Sequence, residues 1–287
     1  LSILLSTSFI LGIFLRPYLG KLKLLVELGS YNINTNIYKN CPKKIDYLPE
    51  KSIIIIGHAY GSIRGSQKRG NNGIAPKIEE FYKKNKKKID TLIFSGDILR
   101  KPNIEKWNNF YSKFDENTKI YISPGNHDVG GNNFYSPERD IFNLINQHKT
   151  KHIFPFTFSR NNSLFIIADT NSKIMDLDKV IKIIKNNQKH KNIFIIMHHV
   201  LIKELKYGSN GEGKHGFIKN SILDNKISKI TNKKLFFIYG DGGVSKYKPR
   251  IKCFKSGNTL HIVNGIGEIN GDIILLIKNG QIYRMEI

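Results

Sequence analysis

The chain has 287 residues, 40% of them hydrophobic and 11% aromatic, which is enough apolar material for one large domain. Intrinsic disorder and coiled coil are excluded, because apolar residues recur throughout without sustained heptads. The excess of 46 Lys and Arg over 23 Asp and Glu gives a net charge of +23. That charge suits anionic partners such as phosphorylated substrates, nucleic acid or an acidic membrane, or it reflects a genome biased toward Lys, Asn and Ile.

The N-terminal segment is an almost uncharged apolar run from Leu1 to Leu15, followed by Arg16 and Pro17. Because a bilayer span needs roughly 20 such residues, the run fits a membrane anchor, a signal-peptide core or a soluble helix. The basic residues after it favour keeping the next domain on the cytoplasmic side. We therefore predict an anchoring segment over residues 1–28, a connector over 29–50, and a membrane-associated domain on the cytoplasmic side.

From residue 51 onward, short apolar strands alternate with amphipathic helices, as is typical of an α/β domain. Ser136 and Pro137 open one helix as its N-cap and first residue, and Asn279-Gly280 joins the last two strands as a hairpin. The predicted helices are Ala75–Lys88, a segment starting at residue 136, and Leu177–Asn187. The predicted strands are Ser52–Ile56, Thr91–Ser95, Lys119–Ser123, Ser163–Ala168, Ile193–Met197, Leu235–Tyr239, Arg250–Phe254, Thr259–Val263, Ile273–Lys278 and Gln281–Ile287.

Neither the cysteines nor the main lysine run identifies a function. Cys41 and Cys253 are too few for a disulfide framework, and the sequence leaves open whether they form one bridge. The run Lys83–Lys88 is interpreted as the solvated end of a helix, because it lacks the interleaved aromatic residues that stack bases. We expect no specific nucleic-acid binding.

Five predicted strands end in small polar clusters. In an open α/β sheet, ligands bind outside the carboxyl ends of the strands, so these clusters are expected to meet at one site. Their Asp, Asn and His side chains suit Mn, Fe or Zn, and the absence of thiolates argues against structural zinc. The clusters are Gly57-His58-Ala59-Tyr60-Gly61, Gly96-Asp97-Ile98-Leu99-Arg100, Gly125-Asn126-His127-Asp128, His198-His199 and Gly240-Asp241-Gly242-Gly243.

Over residues 51–267 this order resembles the calcineurin-like metallophosphoesterase superfamily, whose blocks run Asp-x-His, Gly-Asp, Gly-Asn-His-Asp/Glu, His and Gly-His-x-His. The third block matches fully, and the second and fourth match at Asp97 and His198. The first and last blocks depart from the pattern. His58 and Tyr60 stand where the family has Asp and His, and Asp241 and Gly243 stand where it has two histidines.

The resemblance implies a metal site with Asp97, Asn126, His198 and Asp241 as ligands. The other metal of the family would find His58, Tyr60, Asp97 and Gly243, of which the phenol binds divalent ions poorly at neutral pH and the glycine has no side chain. We therefore predict one well-formed divalent metal site, for Mn, Fe or Zn, and a second that is weakened or absent.

The resemblance also implies roles in phosphoester hydrolysis. His127 would be the general acid for the leaving group and Asp128 would orient its imidazole, while Arg100 would contact the phosphate or form a surface ion pair. Tyr60 is expected to bind substrate or to pack beside it. His215, in the glycine-rich loop over residues 208–216, is expected to face the substrate, or to lie on a surface loop.

The resemblance implies a four-layer α/β sandwich of two mixed sheets flanked by helices. The predicted function is a metal-dependent hydrolase of a phosphate ester, either a phosphomonoesterase or a phosphodiesterase, tethered to a membrane through residues 1–15. The alternative is a catalytically silent binding or assembly module of the same fold, for example in envelope polysaccharide synthesis.

Overall fold

The computed structural model describes residues 40–131, 136–171, 177–187, 189–205, 233–242, 251–268 and 270–287. Helices alternate with strands as the sequence predicts. The helices are α1 (Ile63–Lys68), α2 (Pro76–Asn85), α3 (Ile104–Ser112), α4 (Pro137–Lys149) and α5 (Leu177–Asn186). The strands are β1 (Lys43–Lys44), β2 (Ser52–Ile56), β3 (Ile89–Phe94), β4 (Lys119–Ile122), β5 (Phe156–Arg160), β6 (Ser163–Ile167), β7 (Asn192–Met197), β8 (Lys234–Tyr239), β9 (Ile251–Ser256), β10 (Thr259–Asn264), β11 (Ile273–Lys278) and β12 (Gln281–Glu286).

Some elements differ from the prediction. The helix predicted over Ala75–Lys88 is α2 followed by a separate 3₁₀ turn at Lys86–Lys88. Helices α1 and α3 and strands β1 and β5 were not predicted, and β1 falls within the segment predicted as a connector. Within the described ranges, no helix is long and apolar enough to cross a membrane. The predicted anchor over residues 1–28 lies outside these ranges.

The strands form two six-stranded mixed sheets. The first has the order β1-β12-β11-β2-β3-β4 and the second the order β5-β6-β7-β8-β10-β9. Strands β2, β3 and β4 are mutually parallel, as are β6, β7, β8 and β10, while β11 and β12 form the predicted antiparallel hairpin. Parallel strands place their carboxyl ends at the same edge of the sheet.

The apolar residues of β2 show how the layers are built. Ile54 and Ile56 pack in the cluster that includes the helix residues Ile78 and Trp107. Ile53 and Ile55, which alternate with them along the strand, pack in the cluster that joins the two sheets. Because β2 is covered on both faces, it is apolar without alternation. The predicted four-layer sandwich of two mixed sheets between helices is confirmed.

An aromatic stack closes one edge of the sandwich. Tyr121 of β4, at the edge of the first sheet, stacks on Phe158 of β5, at the edge of the second, with ring centroids 4.0 Å apart. The stack continues across the second sheet through Phe165, Phe194 and Phe236, with successive centroids 4.7, 5.1 and 4.6 Å apart. The pair of Tyr121 and Phe158 joins the two sheets along their β4 and β5 edges, and the other pairs stabilise neighbouring strands of the second sheet.

A disulfide closes the opposite edge. Cys41, just before β1, is bonded to Cys253 of β9, with Cα atoms 5.2 Å apart. Strands β1 and β9 are the remaining edge strands of the two sheets. The sequence left this bridge open because 212 residues separate the two cysteines, and only the fold brings them together.

We predict that the double substitution Cys41→Ser with Cys253→Ser lowers the free energy of unfolding by about 2–5 kcal/mol, because the bridge constrains the unfolded chain over a long loop. Denaturant unfolding with and without reductant measures this. Reductant should destabilise the wild type and leave the double variant unchanged. Equal stability of the two proteins under oxidising conditions would contradict the prediction.

His261 on β10 is a buried histidine away from the polar clusters. Its Nδ1 lies 2.9 Å from the hydroxyl oxygen of Tyr239, and its ring stacks on Phe237. The buried Nε2 has no hydrogen-bond partner. Burial lowers the pKa of His261 from 6.5 to about 3, because a charged imidazole would lose its hydration there.

A folded-state pKa below that of the unfolded chain makes stability fall as the pH falls. Between pH 6.5 and about 3, unfolded His261 takes up a proton that folded His261 does not. We predict that His261→Phe flattens the pH dependence of unfolding over this window by up to about 1.4 kcal/mol per pH unit. Denaturant unfolding at several pH values measures the slope, and parallel curves for wild type and variant would refute the assignment.

Candidate active site

The candidate site lies where the parallel strands of both sheets end. The loops after β2, β3 and β4 come from the first sheet, and those after β7 and β8 come from the second. Contacts between His198 and Asp97 join the two sets of loops. The loops bring together four side chains that contact one another, namely His58, Asp97, Asn126 and His198, and place beside them Asp241, whose backbone N–H donates to His198.

The backbone of the loop after β3 makes room for the second sheet. Gly96 has φ +95°, and a Cβ at this position would lie 2.4 Å from Nδ1 of His198. The next residue, Asp97, has φ 55°, a left-handed conformation that is uncommon for a residue with a side chain. Gly96 is thus required by close approach as well as by conformation.

His198 is oriented by a hydrogen bond from behind. Its Nδ1 lies 3.0 Å from the carbonyl oxygen of Ser95, so Nδ1 carries a proton and donates it. The other nitrogen, Nε2, lies 3.2 Å from Oδ1 of Asn126 and 3.5 Å from Oδ1 of Asp97. This arrangement fits a metal ligand, since a metal-bound histidine usually donates its second N–H to a carbonyl or carboxylate.

The spacing of these three atoms suits a shared cation. Ligands about 2.1 Å from a divalent ion lie roughly 3 Å or slightly more from one another, close to the distances observed here. Within the part of the chain that the structure describes, no set of three or more His, Cys, Asp and Glu side chains could hold a metal ion by itself. The candidate set therefore depends on the amide oxygen of Asn126 together with Asp97 and His198.

Asp241 adds the second carboxylate near this set. Its backbone N–H donates to the carbonyl oxygen of His198 at 3.0 Å, and its side chain is buried. Burial lowers the pKa of His198, but the charges of Asp97 and Asp241 outweigh burial, so the net pKa is raised. Burial likewise raises the pKa of Asp97, and the neighbouring histidines reverse this, so its net pKa is lowered. The site favours one positive charge between the carboxylates.

His58 and Tyr60 occupy the other side of Asp97. Nε2 of His58 lies 3.4 Å from Oδ2 of Asp97, and its buried Nδ1 has no hydrogen-bond partner. Burial lowers the pKa of His58 to about 4, so this imidazole is neutral. Burial raises the pKa of Tyr60, so its phenol stays protonated. His58 can donate a nitrogen lone pair to a cation, whereas the protonated phenol is a poor ligand.

His127 lies at the partly exposed edge of the site. Its backbone N–H donates to Oδ1 of Asp97 at 3.0 Å, which fixes the loop after β4. Its ring packs edge-on against Tyr60, with centroids 5.2 Å apart. The side chain is therefore placed beside the candidate metal ligands and remains accessible to a substrate.

Asp128 does not orient the His127 imidazole as predicted. One carboxylate oxygen accepts the backbone N–H groups of Ile98 and Leu99, both at 2.9 Å, and the other accepts that of Gly125 at 2.8 Å. Both oxygens are thus used to hold two loops together. Burial and the charge of Asp97 raise the pKa of Asp128 to about 7, although the backbone donors act in the opposite direction.

Two other predicted contacts have different outcomes. The guanidinium of Arg100 donates to Oδ1 of Asn71 at 3.2 Å and is partly exposed, so it lies near the site without touching the candidate ligands. His215, and with it the glycine-rich loop, lies outside the described residues, as does Gly243.

The sequence analysis missed a cluster that supports the first loop. Glu268, after β10, accepts from the backbone N–H and hydroxyl of Ser62, both at 2.8 Å. It also pairs with Arg69, which donates to the carbonyl oxygen of Tyr60 at 2.6 Å. The carboxylate occupies the space that a Cβ at Gly65 would need. No local pattern reveals this contact, because its partners are about 200 residues apart.

Comparison with known proteins shows the family and the fold. The family model for calcineurin-like phosphoesterases matches residues 58–221. The purple acid phosphatase PPD1 from yellow lupin (Lupinus luteus) seeds is 15% identical, with a TM-score of 0.51 over 82% of this chain. This chain spans about half of the lupin protein, 53% of its length. GAP50, the anchor in the inner membrane complex of Plasmodium, is 14% identical, with a TM-score of 0.52 over 82% of this chain and 84% of that one. No curated protein sequence matches significantly.

We predict that Asp128→Asn lowers the free energy of unfolding at pH 8 by about 1–3 kcal/mol, because an amide NH₂ would face a backbone N–H that the carboxylate now accepts. Denaturant unfolding measures this. Asp115→Asn is the matched control, since Asp115 forms an exposed ion pair with Lys86 and its loss should change stability little. Unchanged stability of Asp128→Asn would show that its backbone contacts are dispensable.

Proposed function

Because the chain belongs to the calcineurin-like phosphoesterase family, we propose that it is a metal-dependent hydrolase of phosphate esters, either monoesters or diesters. One observation carries the proposal. His198 Nε2 faces the oxygens of Asn126 and Asp97, while its other nitrogen is fixed on a backbone carbonyl. A set of oxygen and imidazole donors held in this way suits Mn, Fe or Zn.

We propose Asp97, Asn126 and His198 as ligands of one divalent ion, and Asp241 as a fourth ligand that must move toward them, because the described side chains include no set of three His, Cys, Asp or Glu placed to hold a metal ion. Such an ion, when bound, polarises a phosphoryl oxygen and acidifies a water molecule. We also propose His58 as a ligand of the ion, because its Nε2 lies 3.4 Å from Oδ2 of Asp97. A second ion is disfavoured, because Tyr60 stays protonated and stands where the family places a ligand.

The chain's own residues supply the proton and the substrate contacts. We propose that the imidazole of His127, partly exposed at the rim, protonates the leaving alkoxide as general acid. The phenol of Tyr60, packed between His58 and His127, donates a hydrogen bond to a phosphoryl oxygen. Arg100 attracts the anionic substrate from nearby. His215 remains a proposed substrate contact.

The alternative is a catalytically silent binding or assembly module. It is favoured by the altered first and last ligand blocks and by the lack, among the described residues, of three His, Cys, Asp or Glu side chains placed to hold a metal ion. One protein of the same fold, from Plasmodium, is an anchor of a membrane complex. Metal content and turnover separate this alternative from the hydrolase.

Membrane association through residues 1–15 is also proposed, on the basis of their apolar sequence. The sidedness predicted from the basic residues that follow is the cytoplasmic one. The disulfide between Cys41 and Cys253 favours the opposite side, because such bonds persist in oxidising compartments. The basic residues and the disulfide therefore favour opposite sides of the membrane.

We predict about one tightly bound Mn, Fe or Zn ion per chain, with hydrolysis of an aryl phosphate or of one member of a phosphoester panel. Chelation should abolish turnover. Asp97→Asn should lose the metal and the activity, and His127→Ala should keep the metal and lose about 100-fold or more in kcat/KM. Elemental analysis and steady-state kinetics measure both.

His148→Ala is the matched control for His127→Ala, since His148 is exposed on α4, and Asp115→Asn serves for Asp97→Asn. Two tightly bound ions per chain would refute the one-ion site. Bound metal without turnover on any phosphoester would favour the silent module.

A further inference from the structure

Five exposed lysines mark the starts of parallel strands in both sheets. Each stands immediately before the strand or is its first residue, and each is fully on the surface. We name this set the lysine face. It comprises Lys51 at β2, Lys88 at β3, Lys119 at β4, Lys191 at β7 and Lys234 at β8.

The lysine face lies at the end of the sandwich opposite the candidate site. The site is formed where these same strands finish, and strands of five or six residues span roughly 20 Å. The starting ends of the parallel strands in the two sheets also lie close together. The turn at Gly280, which joins β11 and β12, approaches Asn192 and Ser163 at the starts of β7 and β6, and Arg160 pairs with Asp90 across this end.

Within the described ranges, none of the five lysines forms an ion pair. The acidic residues nearest in sequence to these strand starts are Glu50, Asp90, Asp115 and Glu116. Asp90 pairs with Arg160, with Lys119 also close to it, and Asp115 pairs with Lys86. A concentration of unpaired lysines at one end attracts a polyanion.

The chain enters the domain from the same end. Strand β1 runs parallel to β12, with Lys43 opposite Tyr283, and β12 begins at the Asn279–Gly280 turn beside the lysine face. The described part of the chain therefore begins on the side of the lysine face. The disulfide of Cys41 fixes that point of entry.

From this placement we propose that the lysine face binds the anionic headgroups of a phospholipid membrane, so that the candidate site faces away from the bilayer. Lysines close to an anionic surface are attracted to it additively. Nucleic acid is the less favoured partner. The exposed large apolar side chains of the described residues are Tyr47, Ile63, Ile104, Leu144 and Ile153, and none stands at these strand starts to stack bases. The proposal does not depend on the hydrolase activity.

Binding of the full chain to vesicles of phosphatidylcholine with 30% phosphatidylserine, relative to pure phosphatidylcholine, tests the proposal. Because residues 1–39 can insert into both, the ratio of the two partition coefficients isolates the electrostatic contribution. Each lysine near the anionic surface should raise this ratio about fivefold. The triple variant with Lys88→Gln, Lys191→Gln and Lys234→Gln should therefore lower the ratio by about 100-fold. Raising the salt should lower the wild-type ratio.

The matched control replaces three exposed basic residues near the site end, Arg64, Lys68 and Lys101, by Gln. It removes the same net charge and should leave the ratio nearly unchanged. Equal losses in the two triple variants would overturn the proposal, since general charge would then explain binding. Binding of duplex DNA that the lysine-face variant loses, with no preference for anionic vesicles, would also overturn it and identify nucleic acid as the partner.

Discussion

The contact between His198 of the second sheet and Asp97 of the first is the interaction on which the candidate site depends. It joins the end of β7 to the end of β3. The imidazole of His198 is oriented by the hydrogen bond from its Nδ1 to the carbonyl oxygen of Ser95. Each group favours the charged form of the other, so the pKa of Asp97 is lowered and that of His198 is raised. A proton or a metal cation can satisfy this pair, and Asn126 adds the oxygen that favours the metal.

This contact requires the two sheets to be held in a fixed relation. The apolar contacts between the two sheets are extensive but non-directional, so burial alone would let one sheet slide over the other. The aromatic stack from Tyr121 to Phe158 fixes one edge, and the bridge from Cys41 to Cys253 fixes the other. Local bonds then refine the loops, since Asp128 ties the loop after β4 to the loop after β3. The site is thus positioned by contacts outside it.

The sequence predicts the parts of the fold that depend on local pattern. The buried strands, the hairpin at Asn279-Gly280 and the polar clusters at strand ends are all visible in it, and the resemblance supplies the layering. It does not predict β5, whose short half-exposed pattern matters only once it pairs with β6. It misassigns Asp128, because a carboxylate beside a histidine in sequence need not face its ring. It misses Glu268 and Arg69, whose partners are distant in sequence.

The altered first and last blocks have an electrostatic consequence. Asp97 and Asp241 are the two carboxylates that act most strongly on His198, whereas Asp128 is occupied by backbone N–H groups. Two carboxylates balance one divalent ion. A second ion beside His58 and Tyr60 would meet a neutral imidazole and a protonated phenol, so its charge would be uncompensated in a buried place. The first block has His58 where the family has Asp, and the last block has Asp241 where the family has His. Together these two replacements move negative charge toward His198. In the proposed hydrolase, a site remodelled in this way would hold one ion.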